Sequence, residues 1–175
     1  MEIASNPAKP GVVSEATFRF IAHSRDAFRA LLETCSHEAL NTIPEGFSNN
    51  VIWNFGHVVA AQQSLCYRLS GLPYPTTQDE ALVAKYTRDT KPDGTVSEDD
   101  VQELIAWSHT TLAKLRDDHN AGIFKTYQSR TSPQGYVVNN IEDAVNFVSV
   151  HDAMHFGIAR TMARLLERRA AHPAL

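Results

Sequence analysis

Val145-Asn146-Phe147-Val148-Ser149-Val150-His151-Asp152-Ala153-Met154-His155-Phe156-Gly157-Ile158-Ala159-Arg160 is the stretch whose reading decides the fold. Around it, Ile141, Ala144, Val148, His151, His155, Ile158, Met162 and Leu165 recur at helical spacing and form one stripe of a long helix. Two members of that apolar stripe are histidines at i and i+4, so both rings leave the helix on the same side. A single histidine on an apolar face is most often a core residue, but two of them each need polar partners of their own. Imidazoles one turn apart can instead converge on one metal ion. A partner for them has to come from elsewhere in the chain, and His57 is the best candidate.

Working outward, Asn139 or Asn140 caps this helix, Glu142 and Asp143 occupy its first turn, and it continues to about Arg169. Three more helices precede it. The first starts at a Ser14 cap and runs to about Cys35 on the stripe Phe18, Ile21, Arg25, Phe28, Leu32 and Cys35. Arg25 is the odd member: either its stem packs while its head reaches solvent, or its guanidinium is aimed at an anionic substrate group. His37 to Phe47, with Pro44 and Gly46, reads as a connector.

The second helix begins among Ser48 to Asn50 and ends at Ser70-Gly71. It has one apolar face of Val51, Phe55, Val58, Val59, Cys66 and Leu69, and another of Trp53, His57, Ala60, Ser64 and Tyr67. Projection alone does not decide whether His57 looks into the bundle. The small neighbours Gly56, Ala60, Ala61 and Ser64 favour it, since they leave room for an ion and a ligand. A helix apolar on both sides must be covered on both, by the bundle and by a loop or a second subunit, and a homodimer is expected with this helix or the segments beside it near the interface.

Residues 72–96 hold four of the prolines and glycines, Pro73, Pro75, Pro92 and Gly94, with at most a short helix around Asp79 to Tyr86. A connection of that length fits a crossover. Ser97 followed by Glu98, Asp99 and Asp100 opens the third helix, which runs on Val101, Leu104, Ile105, Ser108, Leu112 and Leu115. From Asn120 to Asn139 there is no helical period, and Phe124 to Ser129 and Gly135 to Val138 read as short extended pieces over one end of the bundle. The expected class is therefore all-α, a four-helix bundle with a long crossover connection. Residues 14–170 form its domain, residues 1–13 a loose lead-in and residues 171–175 a tail in which His172 is discounted.

Composition bounds what such a bundle does. The 175 residues are 43% hydrophobic and 21% charged, ordinary for a globular protein with one core. A net charge of −4 gives no footprint for nucleic acid or an anionic membrane, and no apolar run is long enough to span a bilayer. Met1 to Gly11 does not read as a signal peptide. Cys35 and Cys66 stand far apart among apolar residues and read as buried thiols of a cytoplasmic protein.

Three imidazoles with no further protein ligand leave a coordination position open, the pattern of catalytic sites. Zinc, nickel and ferrous iron all suit such a set, and neutral donors keep the ion's charge, which favours an anionic ligand. His151-Asp152-Ala153-Met154-His155 also resembles the zinc protease helix in which a glutamate follows the first histidine. Here that acid is Asp152, and Gly157 is followed by Ile158, Ala159 and Arg160 rather than by a further ligand, which argues against a peptidase. Asp152 lies beside the stripe, either solvated or pairing with a neighbouring helix, or else orienting an imidazole.

Trp53-Asn54-Phe55-Gly56-His57, with Leu69-Ser70-Gly71-Leu72 closing the helix, resembles the second helix of the DinB-like (YfiT-like) superfamily. His151-Asp152-Ala153-Met154-His155-Phe156-Gly157 with Arg160 is similar to its fourth-helix signature, and the likeness covers about residues 14–168. The resemblance implies a four-helix bundle with a metal site at one end, whose ligands here are His57, His151 and His155. It also implies metal-dependent handling of low-molecular-weight thiols such as bacillithiol or mycothiol, often by homodimers. Relatives often carry Glu where this chain has Asp152.

The leading expectation is thus a cytoplasmic thiol S-transferase that uses a divalent ion, a small-molecule substrate and a low-molecular-weight thiol. Asp152 and Arg25 are its candidate catalytic residues, and Trp53 is a candidate substrate contact. A metal-dependent hydrolase and a non-catalytic metal-binding stress-response protein are the alternatives.

Overall fold

The computed structural model describes residues 13–132 and 135–171. All of the expected lead-in but Val13, and the tail from His172 onward, lie outside the described residues. Each long helix starts where a side chain takes up a free backbone N–H. Ser14 accepts from Thr17 to open α1 (Glu15–Thr34), and Asn50 accepts from Trp53 to open α3 (Val51–Cys66). Ser97 and Asp100 form a reciprocal capping box at the head of α5 (Glu98–Asn120). Asn140 Oδ1 accepts from Asp143 N–H at the start of α6 (Ile141–Ala171).

Two shorter helices complete the set. α2 (His37–Asn41) occupies part of the expected connector, because Ser36 caps it by accepting from Ala39 N–H. α4 (Thr77–Tyr86) lies in the long connection, opened by a capping box between Thr76 and Asp79. Arg130–Thr131 (β1) and Val137–Val138 (β2) pair antiparallel, with Arg130 opposite Val138. The first extended pairing thus falls just beyond the Phe124–Ser129 segment in which it was expected. Helix makes up 69% of the structure, so the class is all-α, and α1, α3, α5 and α6 are the four long elements of the bundle. No described helix is long and apolar enough to cross a membrane.

The apolar core is divided. One cluster holds Phe28, Phe55, Leu104 and Met162, and a second holds Ile21, Leu65, Leu115 and Val148. Between the two, each long helix contributes a buried polar side chain: Arg25 from α1, Gln62 from α3, Ser108 and Thr111 from α5, and Asp152 from α6. Arg25 Nε donates to Asp152 Oδ2 at 3.0 Å, both side chains are fully buried, and Arg25 Nη1 donates to Ser108 O at 2.8 Å. Gln62 Nε2 donates to Thr111 O at 3.1 Å. Burial pushes the Asp152 carboxyl up to about 6, with Arg25 pulling it back down.

The two-faced α3 is covered within the chain. Fifteen of its sixteen residues are buried, and α4 packs along it, pinned to α5 by Trp107 Nε1 donating to Asp79 Oδ1. The second apolar face of α3 therefore needs no second subunit, and a homodimer does not follow from it.

Removing one partner of a buried ion pair strands the other charge. Arg25→Met is expected to lower the unfolding free energy by about 3–5 kcal/mol, while Arg25→Met combined with Asp152→Leu recovers most of the loss. Urea denaturation of the two variants beside the parent measures both effects.

Candidate metal centre

α3 delivers His57 and α6 delivers His151 and His155 to one spot. One ligand atom from each ring lies within 4.8 Å of the others. Ring centroids are 5.2 Å apart for His57 and His151, 4.7 Å for His57 and His155, and 4.5 Å for His151 and His155. The histidines sit near the middle of α6 (Ile141–Ala171) rather than at a helix terminus.

Two of the rings have their outer nitrogens tied. His57 Nδ1 lies 2.8 Å from Tyr86 O. A carbonyl only accepts, so Nδ1 carries the proton and Nε2 presents a lone pair. His155 Nδ1 lies 2.8 Å from Asn54 Oδ1. The Asn54 amide is oriented in turn, because its Nδ2 donates to Asn50 O at 2.8 Å and rests 3.6 Å from Met162 Sδ. Its oxygen therefore faces the imidazole, and His155 too has a free Nε2. His151 Nδ1 is buried and has no hydrogen-bond partner.

Gly56 makes the His57 contact feasible. A Cβ at that position would sit 2.5 Å from Cδ1 of the Tyr86 ring, so only glycine lets the end of α4 lie against α3. The space that the sequence suggested for a ligand at Gly56 is filled by Tyr86, and Ala60 is buried in the core. Trp53 stacks on His57, with centroids 4.7 Å apart and planes at 9°, and its Nε1 donates to Thr90 Oγ1 at 3.1 Å.

All three imidazoles are held neutral. Burial lowers His57 against the opposing pull of its hydrogen bond to Tyr86. Burial lowers His151 to about 2, aided by His155 and His57, and lowers His155 to about 4, aided by His57. Three neutral imidazoles with a ligand atom each within 4.8 Å of the others, two with their protons directed outward and the third with an unpartnered buried nitrogen, form a donor set that fits a divalent cation.

The triad lines a cavity of about 550 Å³ between α3, α6, the Thr87–Lys91 loop and the β1–β2 ribbon. Trp53, Ala61, Ser64 and Phe147 are among its walls. Neither Arg25 nor Asp152 lines it. They stand behind the imidazoles in the core, where Arg25 is engaged by Asp152 and Ser108 rather than reaching solvent or a substrate. Asp152 lies inside the buried stripe of α6 and not beside it, and it makes no hydrogen bond to an imidazole. Asn54 takes the orienting part instead. An amide within an apolar stretch of helix, three residues before His57, was its signal in the sequence.

A family model described as the DinB superfamily matches residues 21–159, well over half of the chain, a span that contains all three histidines. No curated protein matches the chain.

Replacing any one of the three histidines by Ala is expected to abolish stoichiometric binding of a divalent ion, read by metal analysis after dialysis. The lowered pKa values set the pH window. The folded chain favours neutral imidazoles, so protons compete with the metal only below the ordinary value near 6.5. Binding should persist at neutral pH and be lost as pH falls through about 4, where His155 protonates. Gly56→Ala should destabilise the fold by about 1–3 kcal/mol through overpacking against Tyr86, and weaken metal binding with it. Thermal denaturation and competitive chelator titration separate the two effects.

Proposed function

The chain belongs to the DinB superfamily, and from that premise we propose that it is a divalent-metal-dependent enzyme that joins a low-molecular-weight thiol to a small electrophile. The observation that carries this reading is the meeting of three neutral imidazoles on the wall of a cavity of about 550 Å³, a size suited to a small molecule. Zinc, nickel and ferrous iron suit the donor set. Such an ion would hold a thiol as thiolate at neutral pH, below the free thiol's pKa of about 8.5.

The chain's own residues do the positioning. Tyr86 O and Asn54 hold the protonated nitrogens of His57 and His155 outward, and Trp53 and Phe147 provide flat apolar walls that exclude water. Arg25 and Asp152 act as positioning residues for α6. The reacting sulfur comes from solution. Cys66 is fully buried and burial pushes its thiol up, while burial and then Glu167 push Cys35 up, and neither lines the cavity. Both thiols are free, which suits the reducing cytoplasm, where we place the protein.

Hydrolysis is the second reading. Asp89 is the one carboxylate among the described cavity-lining residues and it lies on an exposed loop, so no acid stands beside the imidazoles to take a proton from water.

The metal-loaded protein is expected to accelerate conjugation of small thiols to a chromogenic electrophile. The chelated protein and His151→Ala should show only the background rate, and Cys35→Ser with Cys66→Ala should keep the parent rate. A panel of cellular thiols without any metal-dependent rate, alongside metal-dependent ester cleavage, would replace the transferase with a hydrolase.

A further inference from the structure

The chain carries 20 Asp and Glu against 16 Lys and Arg, yet the cavity wall reverses that balance. Arg68, Arg88, Lys91 and Arg130 line it, with Asp89 the single acid among the described lining residues. Arg88 and Asp89 pair with each other at 3.6 Å on the exposed loop. Arg68 and Arg130 differ from them: among the described residues, neither has a carboxylate within 4.0 Å.

Hydrogen bonds join the two segments that carry these arginines. Gln128 N–H donates to Leu69 O at 2.6 Å and Thr126 Oγ1 to Ser70 O at 2.8 Å, which lays the segment leading to Arg130 on the turn that carries Arg68. Ser64, in the last turn of α3, lines the cavity, and Arg68 follows in the single 3-10 turn Arg68–Ser70 just beyond the end of that helix. Ser64 is only 7% exposed, and its Oγ has no hydrogen-bond partner. An unpartnered buried hydroxyl and two cations without counter-charges on the wall of one cavity suit a ligand rich in acceptor oxygens. Arg68 lies two residues beyond Cys66, the last residue of α3, which is itself about 14 Å along the helix axis from His57 before the reach of the side chain is subtracted.

We infer that this part of the cavity wall is an anion subsite, and that the substrate reacting at the imidazoles is an elongated molecule with a carboxylate or phosphate at its far end. Arg68 and Arg130 supply forked donors to that group and Ser64 a further hydroxyl. This rests on the cavity being the reaction site proposed above.

Calorimetric titration of the metal-loaded protein with inorganic pyrophosphate and with succinate tests the subsite and separates phosphate from carboxylate. The parent is expected to bind at least one of the two, and Arg68→Gln/Arg130→Gln to bind it about tenfold or more weakly with unchanged metal content. Arg68→Gln alone, at an exposed position, should show part of that loss. Failure of the parent to bind either anion, or equal binding by parent and double variant, would overturn the inference. Glutathione, whose carboxylates are remote from its sulfur, and its diethyl ester keep the thiol reading separate. On the cobalt-loaded protein a sulfur-to-cobalt absorption band is expected with both, at about tenfold lower concentration for the free acid in the parent only. Absence of the band with either compound removes the thiol reading, while the anion titrations still decide the subsite.

Discussion

A single buried ion pair sets the rotation of the helix that carries the site. Asp152 points into the bundle because Arg25 meets it there at 3.0 Å, and Arg25 is itself held by Ser108 O on α5. Successive residues of an α-helix are about 100° apart, so fixing Asp152 toward α1 and α5 fixes where its neighbours point. His151 precedes it by one residue and His155 follows by three, which brings both rings to one side of it, the side that faces α3. The pair is a poor source of stability, since burying two charges costs about what their attraction returns. What it contributes is orientation. A slip of α6 by one residue would remove the partner from both charges and turn both histidines away from His57.

The same logic continues on α3, where each outward nitrogen is held by a group that another contact has already placed. The N-cap Asn50 both starts α3 and, through its carbonyl, orients the Asn54 amide that holds His155. Gly56 admits the Tyr86 ring, and the Tyr86 carbonyl then holds His57. Such relays keep the imidazoles pointed without a charged residue near them, while burial keeps the rings neutral. They also explain why the long connection is part of the site: it covers α3, supplies the carbonyl behind His57 and bears Thr90, which holds the indole of Trp53.

Dividing the core also has a consequence for chemistry. Two apolar clusters hold the helices together above and below a polar layer, so the site can contain a cavity without opening the core itself. Among the described residues the cavity collects cations at its rim and keeps its neutral nitrogens in the interior, the arrangement that draws an anion toward a bound cation.

The all-α class, the four long helices and their starting caps were legible in the sequence, because capping and periodicity are local effects that act within a few residues. The shared face of His151 and His155 was legible for the same reason. His57 could be nominated but not aimed, since a helix apolar on two sides offers no preferred direction and only the placement of α4 and α6 decides between them. Arg25 reads as the odd member of its stripe and Asp152 as an acid beside its own, solvated or pairing with another helix, and nothing local names one as the partner of the other across 127 residues. That Arg130 shares a cavity wall with Arg68 was invisible, because it depends on the Gln128 segment hydrogen-bonding to the turn after α3. Local backbone energetics, then, determine which residues share a face. Which faces meet is decided by packing and by the pairing of buried charges, and those exist only once the chain is folded.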